Sequence, residues 1–408
     1  MTELPRADSP ADVGFIPERL QRLTDALATD VEKGAIPGAV ILVARHGTIA
    51  AHAALGYRDR EAGLPMPLDA VFRGASVTKP LVVAAALTLV DEGALQLAAP
   101  VSRYLPALAS MEVGVETVAA DGTRTLARVP AEREITVQDL MRHTAGFTYG
   151  AFGDSLVQRA YRAANVVDTQ QTNAELVAKL AALPLAYQPG STFEYGMSTD
   201  VLGAALEAVA GLPLDRLLAE RITGPLGMPD TGFRLADPAR LAHPQIDPAT
   251  GERPDLRGLF DPDNPPRWFA GGSGILTTAA DYARFAQMLL GGGVLNGVRV
   301  LGRKTVDLMT SNHLPPGVAF GPFTPELGVT APFPWFGQGF GLGVSVRIDA
   351  GRSPNPGSVG DFSWSGISGT FFWADPQERL LAVLMLQAPA VRVYYRSLMR
   401  ALVYQALA

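Results

Sequence analysis

The sequence of 408 residues contains no cysteine, so it can form neither disulfide bonds nor thiolate metal sites. Its longest apolar runs, such as residues 81–90, are far shorter than the roughly 20 residues that a membrane-spanning helix needs. The net charge is mildly acidic, at −6, and basic clusters are missing. Residues 1–8 lack the basic and apolar regions of a signal peptide. These absences predict a cytoplasmic protein with no nucleic-acid partner and no membrane partner.

Several catalytic and binding motifs are missing as well. No Gly-x-Ser-x-Gly pentapeptide occurs, which argues against the nucleophile elbow of α/β-hydrolases. His46, His52, His243 and His313 show no metal-ligand spacing. The glycine-rich run at 271–274 is not followed by the Gly-Lys-Ser/Thr of a phosphate loop. We therefore predict neither a metal nor another cofactor, and we interpret residues 271–274 as closely packed backbone beside a cleft.

Lysine is scarce in an arginine-rich background, and its positions are Lys33, Lys79, Lys179 and Lys304. Only Lys79 precedes a long apolar helical stretch, and it follows Ser76 by three positions. Residues i and i+3 share one face of a helix, so the two side chains can meet. Burial disfavours a charged ammonium, and a lysine that can lose its proton can relay the serine hydroxyl proton. The spacing predicts that Ser76 is a nucleophile, with the free N–H groups of the helix start suited to an oxyanion.

Strand patterns lie at both ends of the chain, and helical patterns dominate its middle. Sequential strands are usually neighbours and connections are usually short. We therefore predict an α/β (α+β) domain with an antiparallel sheet flanked by helices, built from residues 1–110 and 270–408. A mostly helical domain, residues 111–269, is inserted between them, and the active-site cleft is expected between the two domains.

Some segments carry more detailed expectations. Residues 38–45 and 48–56 predict a hairpin, and residues 340–348 predict a single strand. Proline-rich residues 235–270 predict irregular chain that crosses between the domains or over the cleft, and residues 314–339 predict a long surface loop.

Six motifs, in this order, resemble those of the penicillin-recognising serine hydrolases, the superfamily of class C β-lactamases and D,D-peptidases. They are Ser-Val-Thr-Lys at 76–79, Leu-Met-Arg-His-Thr-Ala-Gly at 140–146, Tyr195 after Pro-Gly-Ser, Pro-Leu-Gly-Met at 225–228, Gly-Gly-Ser-Gly at 271–274 and Trp-Ser-Gly-Ile-Ser-Gly at 364–369. The resemblance covers nearly the whole chain. The chain is most similar to the β-lactamase-like carboxylesterases called family VIII. This resemblance implies a β-lactamase/transpeptidase-like fold.

The resemblance also implies roles for single residues. Ser76 is the nucleophile and Lys79 its proton partner, and Tyr195 takes the serine proton and later delivers it to the leaving alkoxide. A phenol near a cationic lysine has its pKa drawn down and can act as a base. The N–H groups of Ser76 and Ile367 are expected to form the oxyanion hole. Tyr149 falls where the family places an aromatic residue that lines the cleft and contacts substrate.

The third motif, Trp364-Ser365-Gly366, is expected to bind substrate, but it departs from the β-lactamase pattern. β-Lactamases carry a lysine or histidine at its first position, which helps to bind a substrate carboxylate. Trp364 offers an apolar wall instead. Met197 stands where the family places a side chain that hydrogen-bonds a substrate amide. These departures favour neutral esters, and a carboxylate would need another cation, such as Arg267.

The leading hypothesis is a serine hydrolase that cleaves short-chain acyl esters through an acyl-enzyme, with a small-molecule ester as its partner. Hydrolysis of amides, as by a β-lactamase, D-aminopeptidase or D,D-peptidase, remains open. So does acyl transfer to an alcohol or amine. A catalytically slow sensor or scaffold that is acylated but does not turn over is a further alternative. His143, at a helix end, is implied to be structural rather than the base of a triad. The physiological ester and the oligomeric state stay open.

Overall fold

The computed structural model describes residues 4–408, and an eight-stranded antiparallel sheet lies at its centre. The strands of the described chain are β1 (Gly38–Arg45), β2 (Thr48–Asp59), β3 (Leu64–Pro65), β4 (Phe72–Arg73), β5 (Glu112–Val118), β6 (Arg124–Pro130), β7 (Thr192–Phe193), β8 (Leu276–Thr277), β9 (Val294–Leu295), β10 (Val298–Arg299), β11 (Ala319–Phe320), β12 (Gln338–Phe340), β13 (Ser345–Arg347), β14 (Phe362–Ser365), β15 (Phe371–Asp375) and β16 (Leu380–Leu386). The sheet has the order β12-β13-β14-β15-β16-β1-β2-β3.

The two ends of the chain meet in the middle of this sheet. Strand β1 pairs with β16, from Ala39 opposite Leu386 to Arg45 opposite Leu380. Every residue of β16 and nearly every residue of β1 is buried, since helices cover both faces of the sheet. The prediction of one antiparallel sheet made from both ends of the chain is therefore confirmed.

Helices pack on both faces. The α-helices are α1 (Pro17–Glu32), α2 (Thr78–Asp91), α3 (Val137–Met141), α4 (Leu156–Ala163), α5 (Asn173–Ala181), α6 (Ser198–Ala210), α7 (Leu214–Leu218), α8 (Gly224–Leu226), α9 (Ala279–Leu290), α10 (Arg303–Met309) and α11 (Arg392–Tyr404). Successive side chains of a strand point to opposite faces. Accordingly Ile41 and Val43 pack with α1 and α11, whereas Val40 and Leu42 pack in the core that contains α2 and α9. None of the helices in residues 4–408 combines the length and apolar character needed to cross a membrane.

Residues 111–269 contribute no strand to the central sheet. They form the hairpin β5–β6, whose Asp-Gly turn the sequence predicts, and the helices α3 to α8. Their treatment as a separate domain, with boundaries at 110 and 270, stays a prediction.

The crossing segment 235–270 is irregular, as predicted, with one short 3-10 turn at Pro238–Arg240. The buried Arg73 holds it in place. Its Nε donates to the Phe260 carbonyl at 2.9 Å, and its Nη1 donates to the Ala242 carbonyl at 3.1 Å. Because Arg73 lies just before the nucleophile turn, the crossing segment is tied to the active-site region.

The single strand predicted for residues 340–348 is wrong. The chain turns back there, and β12 and β13 form a hairpin instead. Gly343 has a φ of 77°, which glycine adopts without steric strain, and the Gly341 N–H donates to the Val344 carbonyl at 2.8 Å. The glycines that weaken a strand pattern thus mark a tight turn.

Candidate active site

A sharp turn between β4 and α2 presents Ser76 to solvent. The turn is a short 3-10 helix, Ala75–Val77, and the twelve residues from Thr78 to Leu89 in α2 are buried. Ala75 has a φ of 51°, in the left-handed region that alanine rarely adopts, so the backbone here is strained. Ser76 is partly exposed, although Ala75 and Val77 on either side of it are buried.

Lys79 is fully buried, and all three of its ammonium protons have acceptors. Its Nζ donates to Ser76 Oγ at 3.3 Å, to the Tyr149 hydroxyl at 3.3 Å and to the Gly272 carbonyl at 2.7 Å. Ser76 and Lys79 therefore meet, as their spacing predicts. The Gly272 carbonyl fixes Lys79 from the far side of the site.

A buried carboxylate, Asp200, completes the surroundings of Lys79. Asp200 Oδ1 accepts from the Gly272 N–H at 2.8 Å, and Oδ2 accepts from the Tyr149 hydroxyl at 3.5 Å. Burial raises the pKa of Asp200 to about 6, against the opposing effect of the Lys79 charge. Burial, together with the nearby Asp200 and Tyr195, raises the pKa of Tyr149 well above its usual value. Tyr149 is thus a neutral phenol that links Lys79 to Asp200.

The interpretation of residues 271–274 as closely packed backbone is confirmed. A Cβ on Gly271 would overlap the Thr199 carbonyl, and a Cβ on Gly272 would approach the Asp200 carboxylate and the Tyr149 hydroxyl. Glycine at these positions lets the chain come close enough for the Gly272 carbonyl and N–H to reach Lys79 and Asp200.

Tyr195 lies on the other side of Lys79. The centre of its ring is 4.7 Å from Lys79 Nζ, within the range of a cation–π contact. Its ring also packs against His143, Tyr149 and Trp364, with centroids 4.9, 5.9 and 5.5 Å away. Ser76, Lys79, Tyr149 and Tyr195 are therefore brought together.

His143 supports Tyr195 from behind. It is fully buried, does not line the cavity, and contacts Phe193 and Phe340 as well as Tyr195. Burial, and then the charge of Lys79, hold the pKa of His143 well below its usual value. A neutral, enclosed imidazole fits the structural role that the resemblance implies.

The third motif is attached directly to the nucleophile turn. Thr370 Oγ1 donates to the Gly74 carbonyl at 2.7 Å, and Ser368 Oγ donates to the Arg73 carbonyl at 2.8 Å. A Cβ on Gly366 would overlap the Gly74 carbonyl and Thr370 Oγ1, so glycine alone permits this approach. Ile367 is exposed and lines the same cavity as Ser76, and its N–H makes no backbone hydrogen bond within the described chain.

Trp364 departs from its expected place. It is fully buried and does not line the cavity, because Tyr195 and Phe340 cover its ring, with centroids 5.5 and 5.2 Å away. The expectation that Trp364 forms an apolar wall for substrate is therefore corrected: its ring packs against Tyr195 inside the core. Ser365 and Gly366, by contrast, do line the cavity.

Ser76 opens into a cavity of about 500 Å³. Tyr149, Phe152, Tyr195 and Phe323 supply aromatic walls, and Phe152 stacks on Phe323 with ring centres 3.7 Å apart. A further apolar part of the lining comes from Val166, Val167, Leu259, Pro266 and Trp268. The remaining part, next to the third motif, includes Arg392 and Arg396 of α11.

The described residues contain no group of three or more histidine, aspartate or glutamate side chains that could hold a metal ion. The polar groups around Ser76 instead form a set suited to proton transfer: an amine, two phenols and a carboxylate. Such a set is typical of nucleophilic catalysis in which a neighbouring group activates the serine.

A model of the beta-lactamase family matches residues 23–402. The chain belongs to the beta-lactamase family. Among curated members of similar sequence, Protein Rv1367c of Mycobacterium tuberculosis is 40% identical over 364 residues, covering 87% of each chain. Esterase EstB of Burkholderia gladioli is 33% identical over 367 residues, covering 86% of this chain and 85% of its own. Among solved structures, EstCE1, described as a hydrolase with promiscuous acyltransferase activity, matches with a TM-score of 0.75 and 29% identity, covering 95% of this chain and 99% of its own.

Sequence reasoning missed three features of this beta-lactamase-family site. Asp200 lies five positions after Tyr195, and an aspartate directly before the apolar run 201–206 of helix α6 is the available signal. Phe323 lies in a proline- and glycine-rich stretch with no pattern of its own. Arg396 lies on a helix whose buried face could be read from the sequence, but nothing in the sequence shows that this face reaches the cavity.

Proposed function

We propose that the protein is a serine carboxylesterase that hydrolyses short-chain acyl esters through an acyl-enzyme on Ser76. The observation that carries the proposal is the 3.3 Å contact between Ser76 Oγ and Lys79 Nζ, at the edge of a largely apolar cavity with aromatic walls. A neutral acyl chain suits such walls because removing its apolar surface from water is favourable.

In the proposed acylation step, Tyr195 acts as a phenolate: Ser76 Oγ attacks the ester carbonyl carbon and its proton passes to the Tyr195 oxygen. Lys79, held by Gly272 and Tyr149, stabilises the negative charge that develops on the Ser76 and Tyr195 oxygens as the proton moves between them. The N–H groups of Ser76 and Ile367 stabilise the tetrahedral oxyanion. Collapse of this intermediate breaks the ester C–O bond, and the Tyr195 proton goes to the leaving alkoxide.

Deacylation repeats these roles with water as the attacking group. Water gives its proton to Tyr195 as its oxygen attacks the acyl carbon. The Ser76 oxygen then leaves and regains that proton, which restores the free enzyme and releases the carboxylic acid.

Two named relatives support ester chemistry. The 33%-identical relative from Burkholderia gladioli is named an esterase, and EstCE1 is described as a hydrolase with promiscuous acyltransferase activity. Membership of the family VIII carboxylesterases is part of the proposal. So are a small-molecule ester as partner, the absence of nucleic-acid and membrane partners, and a cytoplasmic location.

Acyl transfer to an alcohol is the second candidate, favoured by the description of EstCE1. An apolar cavity admits an alcohol in place of water, and the same proton transfers serve both acceptors. Amide hydrolysis has less support. Met197 is fully buried and Trp364 does not line the cavity, so neither gives a polar contact to a substrate amide or carboxylate.

Removal of the nucleophile tests the proposal. Ser76→Ala should abolish hydrolysis of para-nitrophenyl butyrate while the melting temperature stays close to that of the wild type, because Ser76 is partly exposed. A fluorophosphonate probe should label the wild-type protein once, on the peptide that contains Ser76, as seen by mass spectrometry. Labelling at Ser198, Ser273 or Ser368 instead, or full activity in Ser76→Ala, would remove the proposal. Adding a primary alcohol and measuring ester product separates acyl transfer from hydrolysis.

A further inference from the structure

Glu194, the residue directly before Tyr195, has a buried carboxyl group that the catalytic steps do not use. Only 2% of the residue is exposed, and it does not line the cavity. Its Oε1 accepts a hydrogen bond from Thr148 Oγ1 at 2.6 Å, whereas its Oε2 is buried without a hydrogen-bond partner. A Cβ on Gly321 would overlap Oε2, so the tip of the carboxyl lies directly against that glycine. Glu194 therefore contacts two segments of the chain at once.

These two wall segments, one with Thr148 and the other with Gly321, carry aromatic walls of the cavity. Thr148 lies four residues before Phe152, and Gly321 lies two residues before Phe323. The Phe152 and Phe323 rings stack across the cavity with their centres 3.7 Å apart. Glu194 thus contacts the wall segments close to the point at which each turns into the cavity, and its carboxyl can fix their separation.

The carboxyl has no counter-charge. The titratable groups near it are the hydroxyls of Tyr161, on α4, and Tyr187, and burial, followed by the charge of Glu194, raises the pKa of both. His143, whose carbonyl accepts the Glu194 N–H at 2.9 Å, is held neutral by burial, which lowers its pKa. Burial raises the pKa of Glu194 to about 7, the Thr148 hydrogen bond opposes this shift, and no cation of the described chain contributes to it.

Asp139 shows how this chain compensates a buried carboxylate. It is fully buried too, but it pairs with Arg133 at 2.6 Å and with Arg142 at 3.0 Å. Burial of a charge is unfavourable unless the charge is paired and hydrogen-bonded. Glu194 lacks such partners, so its ionised form must gain water. Because Oε2 lies against Gly321, water can reach it only when the wall segments part.

We propose that Glu194 is a positioning residue: its neutral carboxyl holds the two wall segments together, and its ionisation lets them part and weakens substrate binding. This inference rests on the proposed esterase function and adds a residue through which pH controls the binding of the ester. Glu194 takes no part in proton transfer at Ser76, since it neither lines the cavity nor bonds to Lys79. Its effect should therefore fall on KM rather than on kcat.

The pH dependence of KM tests the proposal, with para-nitrophenyl hexanoate as substrate and nitrophenol release read at its isosbestic wavelength. With a pKa of about 7, the fraction of enzyme that has a neutral Glu194 falls about tenfold between about pH 6 and pH 8, so KM should rise by about tenfold. kcat should not fall over this range, because the wall segments transfer no proton. The inhibition constant of N-(4-nitrophenyl)hexanamide, an uncharged analogue, should rise in parallel, since it reports binding without ester hydrolysis.

Two positions supply the test variants. Glu194→Gln keeps the shape of the neutral acid and cannot ionise, so its KM should stay near the low-pH value of the wild type throughout. Thr148→Val removes the hydrogen bond that favours the ionised carboxylate, so the rise in KM should move to higher pH. Thr148→Ser keeps that bond and should leave the rise in place. The midpoint of the rise does not depend on how much of a preparation is folded, so the Thr148 variants carry the test if Glu194→Gln fails to fold.

Glu207→Gln is the matched control. Burial also raises the pKa of Glu207, but its carboxylate accepts from the Leu214 N–H at 2.8 Å and does not line the cavity, so the rise in KM should persist. A wild-type KM that does not change with pH, with the ester cleaved, would overturn the role of Glu194 and leave the esterase function standing. So would a rise that persists in Glu194→Gln, or one whose midpoint Thr148→Val does not move. Failure to cleave the ester at any pH would overturn the esterase function itself.

Discussion

Two tyrosines flank Lys79, and their surroundings suit them to different tasks. Tyr149 is hydrogen-bonded to Lys79 and Asp200, and its raised pKa keeps it protonated. Tyr195 places its ring against Lys79 Nζ and lines the cavity where substrate must sit. We therefore expect Tyr195 to carry the proton between Ser76 and the leaving group, while Tyr149 positions Lys79.

Paired substitutions separate these roles. Tyr195→Phe should lower kcat by roughly 10²- to 10⁴-fold with little change in KM, the range for loss of general acid–base catalysis. Tyr149→Phe should lower kcat by only about tenfold, well below that range, because Lys79 keeps its bonds to Ser76 and Gly272. Steady-state kinetics with para-nitrophenyl butyrate measure both. If Tyr149→Phe proved the more damaging change, the proton would have to pass through Tyr149.

Asp200 gives the site a pH dependence. Its carboxylate faces Lys79, Tyr149 and the Gly272 N–H, and its pKa is raised to about 6 by burial. Below that pH it becomes neutral, and the negative charge opposite Lys79 is lost. Since the folded-state pKa lies above the unfolded value, protonation of Asp200 stabilises the fold as pH falls. A loss of activity near pH 6 would therefore not come from unfolding driven by this group.

Wild-type kcat/KM should accordingly fall as the pH drops below about 6. Asp200→Asn should remove that acidic limb and lower kcat at pH 8 by up to about 10²-fold, because Lys79 and Tyr149 lose part of their positioning. Asp281→Asn is the control: its carboxyl is also buried with a pKa raised to about 6, but it bonds Thr231 and does not line the cavity. An acidic limb that persists in Asp200→Asn would assign the titration to another group.

At the scale of elements, the site depends on how closely strand β14 and its following turn approach the turn before α2. The two are joined by hydrogen bonds to the Arg73 and Gly74 carbonyls, and Gly366 packs against Gly74 without room for a side chain. This approach brings Ile367 and Ser76 to the lining of one cavity. The expected oxyanion hole is therefore a product of tight packing between two elements about 290 residues apart in the chain.

Gly366→Ala tests this dependence. The added Cβ would overlap the Gly74 carbonyl, so the two turns must separate and Ile367 must shift. We expect kcat to fall by about 10²- to 10³-fold, as when an oxyanion donor is removed. Gly232→Ala, at a position with open space around it, should leave kcat unchanged. Activity of Gly366→Ala within about threefold of the wild type would be far below that range, and would place the oxyanion hole elsewhere.

The sequence predicted the elements whose signal is local. The apolar run of α2 and the hairpin of β1 and β2 appear in the structure with nearly the predicted bounds. Helix α4 is absent from the prediction, although its capping box, Ser155 with Gln158, is a usable signal. The β12–β13 hairpin was misread because a glycine pair interrupts an otherwise continuous strand pattern.

At the scale of the whole molecule, the site is assembled from segments that are distant in the chain. Ser76, Lys79 and Tyr195 come from the first half, whereas Gly272 and Ile367 come from the second. Motif order located Ser76, Lys79 and Tyr195, since each lies in a recognisable local pattern. It could not place Trp364 behind Tyr195 or bring Arg396 to the cavity, because both depend on how α11 and the sheet pack together. Long-range packing, not local propensity, decides which side chains face the substrate.

The same long-range packing predicts that the chain can be cut without losing its structure. Residues 248–253 form an exposed turn in the crossing segment, so a protease site inserted between Thr250 and Gly251 should be cleaved in the native protein. The fragments 1–250 and 251–408 would then share the sheet through the β1–β16 ladder, and Arg73 would bind Phe260 across the cut. They should elute together in size-exclusion chromatography, retain activity on para-nitrophenyl butyrate, and separate only in denaturant. The uncut insertion protein serves as the control for the inserted residues. Separation of the fragments under native conditions would mean that the covalent crossing, rather than the central sheet, holds the two halves of the active site together.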